Sequence, residues 1–182
     1  MGLFRKSSEE PLGVTMAGVK LGQRVLAVGT RDPKLAAQLA AKSGLTGRAC
    51  IVDDDESRLA AAAAAIEHEG ALIEPIRAPY GMWPFDPDSF DVAIIPQLLA
   101  TMRPYDRTQT LFEVFRVLRP GGRVLVIEAA RRGGVLAILE RTMASNPDYD
   151  GAAAALRTAG FGAVRQLAEA EGVAYIEGVK RA

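Results

Sequence analysis

Two kinds of apolar segment alternate along most of this chain. Short runs dense in Val, Ile and Leu are typical of strands buried on both faces, and the longer segments between them have helical character. This alternation predicts an α/β fold in which a mostly parallel sheet lies between layers of helices, and right-handed crossovers make it doubly wound. The predicted strands are residues 24–28, 49–52, 72–76, 92–95 and 123–128, and the predicted helices are residues 33–42, 56–67 and 107–118.

The last third of the chain has a different pattern, in which two extended runs follow each other closely. The connection between them around Glu171-Gly172 is short enough for a hairpin. The sequence therefore predicts a doubly wound, mostly parallel seven-stranded sheet that ends in a C-terminal antiparallel hairpin. Here the predicted helices are residues 133–143 and 151–158, and the two extended runs are residues 163–169 and 173–180.

Length, cysteine content and charge limit the class of protein. A chain of 182 residues is typical of one domain, and we predict an N-terminal arm over residues 1–17 and a single domain over residues 18–182. Cys50 is the one cysteine and cannot form an internal disulfide, which favours a cytoplasmic location. No apolar run approaches the roughly 20 residues that span a bilayer. The 22 basic and 22 acidic side chains balance, so we expect neither nucleic acid nor a membrane as a partner.

Three stretches of sequence carry a family resemblance. Residues 83–92 read WPFDPDSFDV, residues 111–126 read LFEVFRVLRPGGRVLV, and residues 156–161 read LRTAGF. They resemble the PF-x-D-x-SFD, E-x-x-RVL(R/K)PGG and L-x-x-AGF stretches of class I S-adenosylmethionine-dependent methyltransferases, in the small-molecule branch of that family. The resemblance runs from about Gly18 to the C-terminus. It implies a Rossmann-like methyltransferase fold, S-adenosylmethionine as the cofactor and a small molecule as the substrate.

The resemblance also implies where the cofactor would bind. Open α/β sheets place ligands at the carboxyl ends of their strands. In the family, the first strand leads into a glycine-rich loop, here with Gly29 and Thr30, and the second ends in an acid that hydrogen-bonds the ribose, here Asp53. A residue after the third strand contacts the adenine, and Tyr80 at this place can stack on a flat base. The acidic run that begins at Asp53 is equally suited to capping the next helix.

Four positions depart from the family's pattern and make the cofactor-binding loop degenerate. Ala27 stands in place of the leading acid, Arg31 and Pro33 in place of later glycines, and Pro79 offers neither a side-chain acceptor nor an N–H. Arg31 has two opposite interpretations. Its guanidinium either fills the methionine part of the site and repels the sulfonium, so that Arg31→Gly strengthens donor binding, or pairs with the donor's carboxylate, so that the same change weakens it.

The sequence assigns no catalytic residue and leaves two functions open. His68, the one imidazole, is predicted at the exposed end of a helix, Cys50 in the core, and Glu128 at the end of a strand. No His, Cys and carboxylate spacing predicts a metal site. One interpretation is a methyltransferase acting on a small molecule. The other is a non-catalytic protein that has kept the fold, lost methyl-donor binding and serves as a binding or partner subunit. A homo-oligomer is compatible with either.

Overall fold

The computed structural model describes residues 10–130 and 151–181 of the chain. These residues form a seven-stranded sheet in the order β3-β2-β1-β4-β5-β7-β6. The strands are β1 (Arg24–Val28), β2 (Arg48–Asp53), β3 (Glu74–Arg77), β4 (Phe90–Pro96), β5 (Leu118–Ala129), β6 (Gly162–Ala170) and β7 (Val173–Val179). The helices are α1 (Leu12–Ala17), α2 (Pro33–Ser43), α3 (Glu56–His68), α4 (Pro104–Val117) and α5 (Ala152–Thr158), with a short 3₁₀ helix at Leu99–Thr101.

The sheet has the predicted topology. Strands β1 to β5 pair in parallel, whereas β7 pairs antiparallel with both β5 and β6. The predicted doubly wound, mostly parallel sheet with a C-terminal hairpin is therefore confirmed. The hairpin turns at Glu171 and Gly172, which both have positive φ, as a two-residue turn of type I′ requires. The predicted helix at residues 133–143 lies outside the described residues.

Helices cover both faces of the sheet. Helices α1, α2 and α3 pack on one face through residues such as Leu39 and Ile66, which are fully buried. Helices α4 and α5 pack on the other face through residues such as Leu111 and Leu156. The predicted N-terminal arm over residues 1–17 contains α1, which packs in the core, while residues 1–9 lie outside the described part, so the division at residue 18 stays a prediction. In the described part of the chain, no helix combines the length and apolarity that crossing a membrane requires.

The third strand differs from its prediction. The run at residues 72–76 is not buried on both faces, because β3 (Glu74–Arg77) pairs only with β2 and forms one edge of the sheet. Leu72, which precedes the strand, is 76% exposed. Pro75 lacks an N–H, and an edge strand is the place in a sheet where this loss is tolerated. The apolar residues of this run predicted a strand that is buried on both faces. An edge strand has a neighbour on one side only and is therefore more exposed.

Asp91 joins three elements at the amino-terminal edge of the sheet. Its Oδ2 accepts a hydrogen bond of 2.7 Å from the backbone N–H of Arg24 on β1, and its Oδ1 accepts one from Nε of Arg119 on β5. Burial alone would raise the pKa of this carboxyl, but these hydrogen bonds and the charges of the two arginines lower it below its ordinary 3.8. The side chain is thus held in its ionised form.

We expect Asp91→Asn to lower the free energy of unfolding by about 1 kcal/mol or more at pH 7, because one acceptor oxygen becomes an NH2 donor and the remaining hydrogen bond loses its charge. A carboxyl whose pKa is depressed in the folded protein adds stability above its unfolded pKa of 3.8 and loses it as the pH falls through the folded value. Urea unfolding at pH 7 and at pH 3 would measure this. The difference between the two proteins should be smaller at pH 3 than at pH 7, and a constant difference would contradict the prediction.

Candidate functional site

A cavity of about 760 Å³ opens at the carboxyl ends of the first strands. It lies where β1 neighbours β2 on one side and β4 on the other, which is the point where the strand order reverses and where open α/β sheets bind ligands. Its size falls within the range of small-molecule sites. Side chains from β2, α3 and the loops after β1, β3 and β4 form the wall, among them Thr30, Arg31, Asp53, Arg58, Tyr80 and Thr101.

Three of the four predicted cofactor residues meet on this wall. Thr30, Asp53 and Tyr80 all line the cavity, although they are distant in sequence. Gly29 shapes the turn beneath them and does not itself line the cavity. Its φ of 82° is in the left-handed region, its N–H donates to the carbonyl of Val52 at 2.8 Å, and a Cβ there would lie 3.0 Å from a methyl of Leu98. A glycine is therefore required at this turn.

Asp53 is a buried acid of the site with three hydrogen-bond donors around it. It ends β2, is 2% exposed, and accepts hydrogen bonds from the Thr30 hydroxyl at 2.9 Å, the Asp55 N–H at 3.0 Å and the Arg58 guanidinium at 2.8 Å. Burial alone would raise the pKa of this carboxyl, but these three hydrogen bonds outweigh burial and lower it. Asp53 therefore stays ionised at neutral pH, as a hydroxyl acceptor should.

The structure also separates the two roles that the acidic run could have. The residue that caps α3 is Asp55, whose carboxylate accepts from the backbone N–H of Arg58 at 2.8 Å. Asp53 instead lies at the cavity with its carboxylate aimed at Thr30. Capping is thus done by a different residue of the run, whereas Asp53 lies on the cavity wall.

Arg31 lies on the same wall and has an unusual electrostatic position. Its guanidinium donates to the Thr101 hydroxyl at 3.0 Å, and that hydroxyl in turn donates to the Leu98 carbonyl. The other two guanidiniums of the wall are ion-paired, Arg58 with Asp53 and its neighbours, and Arg103 with an aspartate one turn along α4. Within the described part of the chain, Arg31 has no carboxylate within ion-pair distance.

The backbone tolerates the departures at positions 31 and 33. Arg31 has no positive φ, so a side chain there costs no strain. Pro33 is the first residue of α2, where its missing N–H is not needed, and Asp32 caps the helix by accepting from the Leu35 N–H at 2.9 Å. The loop is thus a well-formed strand-to-helix turn with a cation in place of a glycine.

Tyr80 and Pro79 follow β3. Tyr80 is half-buried in the wall, and burial, followed by the charges of Asp53 and Asp54, raises the pKa of its phenol. The ring is therefore neutral at physiological pH and presents an aromatic surface to the cavity. Pro79 is exposed and does not line the cavity.

The remaining reactive side chains lie elsewhere. His68 is exposed at the last turn of α3, away from the cavity wall. Cys50 is fully buried in β2, and burial raises the pKa of its thiol to about 12, so it is no thiolate nucleophile. Glu128 is buried in β5. Across residues 10–130 and 151–181, no group of three or more His, Cys, Asp or Glu side chains could hold a metal ion.

Sequence reasoning missed several residues of the wall, among them Arg58 and Thr101. Arg58 could have been found, because an arginine four residues after Asp54 faces the same side of a helix turn as the acidic run. Thr101 belongs to the short 3₁₀ helix after β4, which no periodicity in the sequence indicates.

Comparison with known proteins connects this geometry to a family. A family model described as a methyltransferase domain matches residues 25–122, just over half of the chain. The ubiquinone/menaquinone biosynthesis C-methyltransferase UbiE of Escherichia coli is 30% identical over 120 residues, which make up 65% of this chain and 47% of that protein. The chain thus spans about half the length of the curated relatives it matches.

Solved structures share the fold. A SAM-dependent methyltransferase from Aquifex aeolicus superposes with a TM-score of 0.73 at 17% identity, over 92% of this chain and 87% of its own. A Haloferax volcanii protein solved in complex with the Trm112 methyltransferase activator gives a TM-score of 0.72 at 19% identity, over 93% of this chain and 88% of its own. With the family match, these findings show that the chain belongs to the methyltransferase domain family, among the class I S-adenosylmethionine-dependent methyltransferases.

Proposed function

We propose that this protein is an S-adenosylmethionine-dependent methyltransferase that acts on a small molecule. The observation that carries the proposal is Asp53, an ionised carboxylate held at the end of β2 inside the cavity. The resemblance implies a ribose-binding acid at this position. Membership of the family supports the same reaction, and the chain's own activity is the part that needs testing.

The residues present fit the donor. Asp53 would accept from the ribose, and the neutral ring of Tyr80 would stack on the adenine. Arg31 would pair with the carboxylate of the methionine part, because the cation has no carboxylate partner among the described residues and a charged hydrogen bond favours it. The structure thus favours the second interpretation of Arg31, in which the guanidinium binds the donor's tail.

The bound donor supplies an electrophilic methyl group, and the chain must place the acceptor in line with it. Leu98 and Met102 flank the 3₁₀ helix that follows β4 and give this side of the cavity an apolar surface. Both are more than nine-tenths buried. Asp106, on the same side, is ion-paired with Arg103 at 2.7 Å. Such a wall would orient a small acceptor with an apolar part and exclude water around the methyl group. Holding the reactants in line is itself a large part of catalysis.

Donor binding separates this proposal from the non-catalytic alternative. At a concentration 100 times its dissociation constant, S-adenosylhomocysteine should stabilise the protein by ~2.7 kcal/mol, which a thermal-shift assay detects. Adenine and homocysteine added separately serve as controls and should shift the melting temperature less. If no shift occurs at millimolar S-adenosylhomocysteine or S-adenosylmethionine, the methyltransferase proposal is wrong for the isolated chain.

The alternative makes its own prediction about partners. A subunit that has lost the donor would bind neither nucleoside and would purify with another protein that covers the cavity mouth. The related Haloferax protein was solved with an activator, so we also propose repeating the thermal-shift assay on any complex that forms. A shift seen only in the complex would assign the donor site to an activated methyltransferase.

A further inference from the structure

The carboxylate of Asp53 is almost fully used by the protein itself. A carboxylate has about four lone-pair directions, two on each oxygen. Oδ1 accepts from the Asp55 N–H and from the guanidinium of Arg58, so both of its directions are taken. Oδ2 accepts from the Thr30 hydroxyl alone. One direction on one oxygen therefore remains for a ligand.

Arg58 is the partner that takes the second acceptor direction of Oδ1. Asp55 and Thr30 contact Asp53 from the local turn and from the neighbouring loop, whereas Arg58 reaches back from the first turn of α3. One of its nitrogens is shared between Asp53 and Asp54 at 2.8 Å each, and the other lies 3.3 Å from Asp55. Its side chain is 54% exposed and lines the cavity, so the guanidinium covers Oδ1 on the side from which a ligand would approach.

We propose that Arg58 is a specificity-determining residue that makes Asp53 recognise one ribose hydroxyl instead of two. This inference rests on the proposed function, since it concerns how the same site holds the nucleoside. With Oδ1 covered, a ribose diol cannot place one hydroxyl on each carboxylate oxygen. One hydroxyl donates to Oδ2, and the other finds no free acceptor direction on Asp53.

Removing Arg58 should change the recognition without dismantling the acid. In Arg58→Leu, Asp53 keeps its hydrogen bonds from Thr30 and from the Asp55 N–H, and these must hold the carboxylate against the neighbouring Asp54 carboxylate once their shared cation is gone. Oδ1 then regains one acceptor direction that faces the cavity. The second ribose hydroxyl can then donate to Oδ1, so Asp53 recognises two hydroxyls in the variant and one in the unaltered protein.

Isothermal titration with S-adenosylhomocysteine and its 2′-deoxy and 3′-deoxy forms tests this. In the unaltered protein, we expect one deoxy form to bind about tenfold or more weakly and the other to bind within about threefold of the parent ligand, because only one hydroxyl meets the charged acceptor. In Arg58→Leu, both deoxy forms should lose about tenfold relative to S-adenosylhomocysteine. Arg77→Leu is the matched control, because it removes an exposed ion pair with Glu56 of α3 and leaves the cavity unchanged. It should keep the unaltered pattern.

Two results would overturn the inference. One is an equal loss for both deoxy forms in the unaltered protein, a measurement that holds even if the variant fails to fold. The other is a folded Arg58→Leu that still discriminates against a single deoxy form. If S-adenosylhomocysteine itself fails to bind the unaltered protein at millimolar concentration, the proposed function fails instead, and the two failures are thereby told apart.

Discussion

Asp53→Ala is expected to weaken S-adenosylhomocysteine binding by roughly 10- to 100-fold, because a hydrogen bond to a charged group contributes roughly 1.5–3 kcal/mol. The variant also leaves the Thr30 hydroxyl and the Asp55 N–H without their acceptor and removes one of the three carboxylate partners of Arg58. We therefore expect the free energy of unfolding to fall as well. Isothermal titration measures the first effect and urea unfolding the second.

A graded series makes this test sharper. Asp53→Asn keeps one carbonyl oxygen for the same donors and should bind with an affinity between those of the unaltered protein and Asp53→Ala. Glu56→Gln, three residues along the chain, removes a charge that pairs with Arg77 outside the cavity and serves as the control. A folded Asp53→Ala that binds as tightly as the unaltered protein would show that the ribose lies elsewhere.

Arg31→Gln is expected to weaken S-adenosylhomocysteine about tenfold while leaving 5′-methylthioadenosine within about twofold. The two ligands share the adenosine and the sulfur, but only the first has the carboxylate that Arg31 would pair with. Because the guanidinium is exposed, the effect should also shrink as salt is added. Titration of both ligands at low and at 0.5 M salt measures it.

The opposite result for Arg31 has an equally clear meaning. If the variant binds S-adenosylhomocysteine more tightly, the arginine fills the methionine part of the site, and the loop opposes the donor. Thr101→Val is a useful companion, because it removes the hydroxyl that holds the guanidinium at 3.0 Å and keeps the charge. If both variants bind S-adenosylhomocysteine more weakly, the hydrogen bond between Arg31 and Thr101 positions the guanidinium for the donor's carboxylate.

Much of the fold could be predicted because central strands carry a strong signal. The predicted limits of β1 match the structure, since a strand buried on both faces is continuously apolar. The limits and burial of β3 are harder to predict, because this edge strand is only partly buried and the sheet order alone reveals its position. The Pro120-Gly121-Gly122 segment lies within β5 as an irregular stretch, where Gly122 contacts backbone oxygens too closely for a side chain. The sequence alone does not predict this backbone contact.

Only those site residues could be predicted whose location follows from their position along a strand. Asp53 is the last residue of β2 and Thr30 lies two residues beyond the end of β1, so topology places them at the same edge of the sheet. The ion pair of Arg58 and the hydrogen bond of Arg31 depend on side-chain directions across different elements. Those contacts decide how many acceptors the acid retains and which cation is unpaired, and neither follows from spacing in the sequence.

The close packing between Gly29 and Leu98 bears on any effort to redesign this protein. Leu98 lines the cavity on the wall that we propose for the methyl acceptor, and its methyl groups also fill the space beside the turn that follows β1. A larger or differently branched residue at position 98 would therefore displace the donor's turn along with the acceptor's surface. Changes intended to admit new acceptors are better begun at Met102, another apolar side chain on that wall, which directly follows the 3₁₀ helix at Leu99–Thr101.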